Sequence, residues 1–353
     1  ESVAKAPVRI LVFLGLFLGV LFLASSAMGL IWGLGSFFGV VRAIAQTALV
    51  VACYFLGLAR GRKYLQGPSW ALALLGLGSA VLISWSSLYL VGGLTFLLAA
   101  GVGYLTTRGR IPWLPLGAAI VLVSVLHAGK EEMRNRYWLD DARSGDSSLL
   151  SLPKKATEWF GLGLQSLASK STGRSALDRA SLLQMLLRVQ RLTPMVVDYL
   201  HGETYLLIPS MLVPRFLDPA KPISKAGADL LSIRYGLMSA EGAEKTTIGW
   251  GLVPEGYANF GIWGVAGMGL LIGLASGALT RWSIQGSAVS VSTLLPVAAM
   301  VAMINLEQDL ASIVTTLLQS TTAVVFFVTL LRLFPGKRRA RDPKTPQPQT
   351  GIA

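Results

Sequence analysis

Residues 9–31 read RILVFLGLFLGVLFLASSAMGLI. Arg9 opens the run, and no charge follows it for 22 residues. An apolar stretch of about 20 residues is the length that crosses the hydrocarbon core of a bilayer as a helix. The pattern recurs along the chain. We expect eight spans, at roughly 9–31, 36–59, 69–86, 88–107, 111–127, 255–279, 287–306 and 310–334. Composition agrees. The chain is 53% hydrophobic and only 14% charged, where a soluble domain carries about 25% charged residues. Its mean hydropathy is +0.58. The expected fold class is an all-α integral membrane protein, a polytopic helix bundle of about eight spans with one large extracytoplasmic loop containing amphipathic helices.

The loop charges bear on orientation. Lys5 to Arg9, Arg60-Gly61-Arg62-Lys63, Arg108-Gly109-Arg110, Arg281 and Lys337-Arg338-Arg339-Ala340-Arg341 are the cationic connections. If every segment crosses once, all five lie on one side, which the positive-inside rule makes cytoplasmic. The net charge of +13 therefore does not point to a nucleic-acid partner. Outside residues 128–253 there are 15 Lys+Arg against 5 Asp+Glu; inside, 16 against 13. The excess sits in short connections and a tail.

The expected division is a five-span bundle over 1–127, an outward-facing segment over 128–253, a three-span bundle over 254–334, and a basic, disordered cytoplasmic tail over 335–353. The chain begins at Glu1 without Met, so we expect that it was processed or lacks an N-terminal portion. The first span is too long, and too well followed by others, for a cleaved signal peptide. Arg42 within the second span can snorkel to an interface. Ser84-Trp85-Ser86-Ser87 reads as a hairpin turn, with Trp85 and Tyr89 in an interfacial aromatic belt.

Segment 128–253 has internal pattern. Leucines and Trp159-Phe160 over 147–169 fit a short amphipathic helix at the interface. Residues 175–200 read as a second helix, capped by Ser175 with Asp178 in the capping-box position. Pro209, Pro214, Pro219 and Pro222 forbid a continuous helix beyond it, so 202–225 is expected as an extended loop.

Candidate chemistry concentrates in residues 201–263. Arg215 and Lys221 stand six apart among prolines. A guanidinium fork grips two phosphate oxygens and an ammonium acts as a point charge, a pair suited to a diphosphate. Arg188 and Arg191 are i, i+3 neighbours on a helix, with Arg174 about four turns back; they are a second anion-binding element or a lipid-facing cationic face. Glu255 follows Pro254 at the start of a span, where the helix dipole favours a carboxylate. It is a candidate base for a sugar hydroxyl, with Glu203, beside His201, as a second acid. Tyr257, Asn259 and Trp263 supply aromatic faces and an amide for a sugar. Glu307 and Asp309 read as a solvated turn between two spans. Cys53 is the only cysteine and reads as a buried hydrophobe. Two histidines far apart and no Cys/His cluster point away from zinc. No P-loop, dinucleotide fingerprint or nucleophile elbow appears. No cofactor is expected.

The ordered set Gly202-Glu203-Thr204-Tyr205, Ile208-Pro209, Pro214-Arg215-Phe216-Leu217-Asp218-Pro219-Ala220-Lys221-Pro222 and Pro254-Glu255-Gly256-Tyr257-Ala258-Asn259-Phe260-Gly261 resembles the bacterial oligosaccharide repeat-unit polymerases, which make O-antigen and exopolysaccharide. The likeness covers roughly residues 171–310. It implies recurrent roles for Arg215, Lys221, Glu255 and Asn259, a membrane-bound glycosyltransferase architecture, and an undecaprenyl-diphosphate-linked oligosaccharide as donor. It also implies the inner membrane, with the large loop periplasmic, and a chain-length regulator protein as partner. The family usually has more than eight spans, and often has Trp where Leu217-Asp218 stand here. A metal is not required on this reading, because arginines replace its charge. A ligase that attaches finished chains shares the same physics. A flippase for lipid-linked sugars would instead favour polar groups at the bilayer midplane.

Overall fold

The structure is a computed structural model that describes residues 5–139, 151–168, 182–284, 286, 290–303 and 307–333. The described residues are helical and contain no strand. The helices are α1 (Lys5–Ala27), α2 (Phe38–Gly61), α3 (Pro68–Trp85), α4 (Leu90–Arg108), α5 (Trp113–Arg134), α6 (Leu152–Ala168), α7 (Leu183–Leu192), α8 (Ile208–Leu212), α9 (Ala226–Arg234), α10 (Ala240–Lys245), α11 (Leu252–Ile284), α12 (Val291–Met303) and α13 (Leu310–Leu333). Seven of them, α1 to α5, α11 and α13, are long and apolar enough to cross a membrane. The chain is a polytopic helical membrane protein.

The span expected over 287–306 falls on α12, of which 13 residues are described; residues 287–289 and 304–306 lie outside the described residues. Pro296 inside it removes one backbone donor. The chain still has to recross there. The Trp250 amide donates to the Glu307 carbonyl at 3.0 Å, which returns the chain after α12 to the end where α11 begins.

Helix α2 is the centre of the bundle. Its residues from Ala45 to Ala59 are almost all buried, and it packs against α1, α4, α12 and α13. A helix apolar on every side needs such a surround. Glycines set its closest approach: a Cβ on Gly57 would overlap the Ala100 carbonyl oxygen, and one on Gly103 would overlap that of Tyr54. Small residues let membrane helices meet backbone to backbone.

Three contacts fix which helix ends lie together. Arg9 Nε donates to the Tyr64 carbonyl at 3.0 Å, and Gly61 meets Thr107. The cationic connections at Arg9, Arg60 to Lys63 and Arg108 therefore share one end of the bundle. At the other end Arg134 Nη2 donates to the Leu88 carbonyl at 3.4 Å and its guanidinium lies 5.2 Å from the Tyr89 ring centre. The connections at Arg9, Arg60 to Lys63 and Arg108 are three of the five cationic connections expected on one side.

Several sequence expectations change. Helix α5 continues past 127 to Arg134. Trp85 is buried, with its indole N–H donating to the Leu90 carbonyl at 2.8 Å; that bond closes the α3–α4 turn and draws the ring inward, away from any surface belt. Tyr89 is exposed. The amphipathic helix expected over 147–169 appears as α6, packed on α5 through Gly129, Gly163 and a buried Trp159. Of the second helix, expected over 175–200, the described residues show Leu183–Leu192, ended where Thr193 turns extended before Pro194. Ser175, Asp178, Arg174 and the tail from 335 lie outside the described residues. Residues 202–225 are a chain of turns and the short helix α8 rather than an extended loop, because Pro209 sits in the first turn of α8, where its missing N–H costs nothing.

Beyond the spans a small second core forms from Val189, Leu200, Leu231, Tyr235, Trp250 and Ala258. The Trp250 indole donates to Ser232 Oγ at 2.7 Å, and Tyr235 OH pairs with Thr193 Oγ1 at 2.6 Å. Each polar tip in this core is satisfied, as burial demands.

Candidate functional site

The site is built on a break in α11. Phe260 (φ −141°, ψ 21°) and Gly261 (φ 60°, ψ −144°) leave helical geometry, so the leading turn from Leu252 to Asn259 folds away from the span that follows. Gly261 occupies backbone space that side chains rarely tolerate. Gly256 and Gly264 then meet across the bend. The result carries Glu255 and Asn259 sideways, under residues 200–205.

Asn259 is fully buried and ties the bend together. Its Oδ1 accepts from the Gly202 amide at 2.9 Å. Its Nδ2 donates to Thr204 Oγ1 and to the Glu255 carbonyl, each at 2.9 Å. The Leu200 and His201 amides donate to the Ala258 and Asn259 carbonyls. Both of its donors and one acceptor position are used within the chain, which places Asn259 at the bend.

Glu255 is fully buried. Its Oε2 accepts from the Leu310 amide at 2.7 Å, the first N–H of α13. Its Oε1 is buried and makes no well-formed hydrogen bond among the described residues, although the Thr204 hydroxyl faces the carboxylate. The Tyr205 hydroxyl is likewise buried and unsatisfied. Burial, and then the nearby Glu255 charge, push its phenol above the ordinary tyrosine value.

Asp309 overturns the solvated-turn reading. It is 1% exposed, whereas Glu307 beside it is open to solvent. Its Oδ1 accepts from the Ser312 amide at 3.1 Å, a second cap on α13. Its Oδ2 is unsatisfied and faces the start of α9, where a Cβ on Gly227 would overlap it. Burial pushes this carboxyl above the ordinary aspartate range, against the pull of the amides that cap it. Two carboxylates thus converge on the first turn of one helix, where the dipole favours negative charge.

Arg215 and Lys221 are brought together. Arg215 donates through Nη1 to the Pro219 carbonyl at 3.2 Å and through Nη2 to that of Pro222 at 3.3 Å. Lys221 Nζ donates to the Met211 carbonyl at 2.9 Å and also to that of Val213. Burial, and then the Arg215 charge, lower the Lys221 ammonium below its ordinary value. Phe216 anchors this cationic loop by stacking on Phe37, with ring centres 5.7 Å apart and planes 9° off parallel. Helix α8 and the turn Tyr205–Leu207 both pack on α13, so the loop and Glu255 are organised on the same helix. No ion pair joins the loop to Glu255 among the described residues.

The other candidates are dispersed. Glu203 accepts from Arg234 Nη2 through both oxygens at 3.0 Å, an exposed surface pair. Arg188 donates through Nε and Nη2 to the Tyr235 carbonyl, at 3.0 and 2.7 Å, and so closes the C-terminus of α9. Arg191 is exposed, while Arg188 is held by the Tyr235 carbonyl. His201 is exposed with φ 46°, and Tyr257 packs on the second core. Trp263 is 82% exposed on α11. Among the described residues no three His, Cys, Asp or Glu side chains gather as metal ligands.

Sequence reasoning passed over Thr204, Tyr205 and Asp309. Thr204 and Tyr205 stood in the quoted motif without a role. The only signal for Asp309 was an acid and a serine three residues apart at the head of an apolar run, a helix-start pattern. No protein-family model, curated protein or solved structure matches this chain.

Proposed function

We propose that this chain is a membrane glycosyltransferase that extends a lipid-diphosphate-linked oligosaccharide, with its large loop on the periplasmic side of a bacterial inner membrane. The observation that carries the reading is Glu255: a carboxylate with no solvent exposure, one oxygen fixed by the α13 amide and the other unsatisfied. A buried acid with spare acceptor capacity is poised to take a proton.

The chemistry balances as follows. An acceptor sugar hydroxyl attacks the anomeric carbon of the donor. The new C–O bond forms as the bond to the diphosphate oxygen breaks. The hydroxyl proton passes to Glu255, and the lipid diphosphate departs with its negative charge. Arg215 uses only two of a guanidinium's five N–H donors on backbone carbonyls, so it keeps donors for that leaving group. Lys221 adds a point charge beside it. Stabilising charge that develops in the transition state is commonly the largest catalytic term. Because Glu255 is enclosed, the turn bearing Thr204 and Tyr205 has to move for a hydroxyl to reach it. The resemblance in residues 171–310 supports the same assignment.

The test is reconstitution of the purified chain in proteoliposomes with an undecaprenyl-diphosphate-linked oligosaccharide as sole substrate. A ladder of extended products is expected, lost in Arg215→Ala. In a parallel reaction with a foreign glycolipid acceptor added, single transfer to that acceptor without a ladder would make it a ligase. Movement of the labelled lipid across the bilayer with no new glycosidic bond would make it a transporter.

A further inference from the structure

We propose a second site, away from Glu255: a pocket that holds one acyl chain of an anionic phospholipid. A cavity of about 520 Å³ lies where α3, α5 and α6 meet. That volume falls within the roughly 300–1,000 Å³ of small-molecule sites. Leu82, Ile83, Leu122, Leu126 and Phe160 form its walls, with Trp85 and Trp159 among them. Both indoles have turned their polar edge out of the cavity. Trp85 donates to the Leu90 carbonyl, and Trp159 donates to the Leu126 carbonyl at 2.7 Å. Apart from Ser79, Ser86 and Lys155, the lining side chains offer the space carbon, which suits a hydrocarbon chain better than a sugar.

Its depth fits the same occupant. The lining residues of α3 belong to the last turns of that span, near where Leu88 meets Arg134, and Leu122 and Leu126 of α5 stand about three and two turns before Arg134. Helix α6 covers that end. An acyl chain would enter the cavity just below the headgroup layer. Charge at the rim selects the head. Lys155 lines the cavity, with its ammonium 4.9 Å from the Tyr137 ring centre, and Lys154 is its exposed neighbour. The acid on the same helix, Glu158, is taken up by Arg136 Nη1 at 2.9 Å and Tyr137 OH at 2.8 Å. Lys154 and Lys155 place two cations on α6 at the rim, while Arg136 pairs with Glu132 and Glu158. A basic residue at the membrane surface attracts an anionic headgroup.

The experiment takes the whole chain, reconstituted with equal amounts of phosphatidylglycerol and phosphatidylcholine, extracts it in mild detergent and counts retained lipid by native mass spectrometry. One phosphatidylglycerol per chain is expected. Ala156→Phe, which grows into the cavity from α6, should abolish retention. Leu82→Phe, which fills it from α3, should do the same should the first variant misfold; circular dichroism and melting identify a misfolded variant. Lys155→Gln should lower the preference for phosphatidylglycerol by about fivefold. Equal retention by wild type and both filled variants overturns the proposal, as does retention of no lipid. Equal retention of the two headgroups overturns the anionic assignment, and preferential retention of added undecaprenyl phosphate overturns the phospholipid. None of these readouts depends on glycosyl transfer.

Discussion

Replacing Asn259 by alanine separates a positioning role from a substrate contact. The side chain makes three hydrogen bonds, to the Gly202 amide, Thr204 Oγ1 and the Glu255 carbonyl. Alanine leaves the buried Gly202 N–H without an acceptor, at a cost of about 1–3 kcal/mol, and removes two further bonds of about 0.5–1.5 kcal/mol each. The loss comes to about 4 kcal/mol, which lowers the melting midpoint by about 5 °C in a chain of 353 residues. Asn259→Asp keeps an acceptor for Gly202 but places a carboxylate oxygen against the Glu255 carbonyl, so it should melt no higher than alanine. The assay is intrinsic tryptophan fluorescence on heating in one detergent, beside the reconstituted transfer assay. A drop of less than about 2 °C together with lost transfer would refute the reasoning, because it would mean that the amide touches substrate and not the bend.

Glu255→Gln retains an acceptor for the Leu310 amide, so it should melt close to wild type while transfer falls about 10²–10⁴-fold in single-turnover measurements; transfer within tenfold of wild type would remove Glu255 as the base. Asp309→Asn tests the buried carboxyl. A folded-state pKa raised above the unfolded value of about 3.9 means that wild type loses stability as pH rises past that value, so the advantage of asparagine should be full near pH 8 and shrink as pH falls toward about 4; a pH-independent difference would contradict the burial. Gly227→Ala should destabilise by about 1–3 kcal/mol through overlap with Asp309 Oδ2, and the double variant with Asp309→Ala should lose less than the sum, as melting of the four proteins in a mutant cycle will read.

The spans were legible because lipid imposes one rule on a whole stretch: about 20 apolar residues with their backbone bonds satisfied internally. The break at Phe260-Gly261 was not, since Asn-Phe-Gly inside an apolar run looks like the start of a span and only contact with residues 200–205 shows the bend. Glu255 announced itself locally, through Pro254 and its place at a helix start. Asp309 did not, because its burial comes from α9, more than 70 residues earlier. The arginines misled for a related reason. Sequence spacing put Arg188 and Arg191 on one helix, but a carbonyl from Tyr235 claims Arg188 from outside that helix. Trp85 was assigned to a belt by its position at a turn; its single N–H found the Leu90 carbonyl and took the ring inward.

The order in which the polypeptide emerges gives one feature a cost. Trp250 meets Glu307, Glu255 meets Leu310, Gly227 lies against Asp309, and Ser312 Oγ donates to the Ser224 carbonyl at 2.7 Å. All four partners of the outer core are translated after it. A ribosome-bound chain that stops at Ile284 has released residues 182–253 without their fasteners, so proteases should cut there until the last helix is inserted.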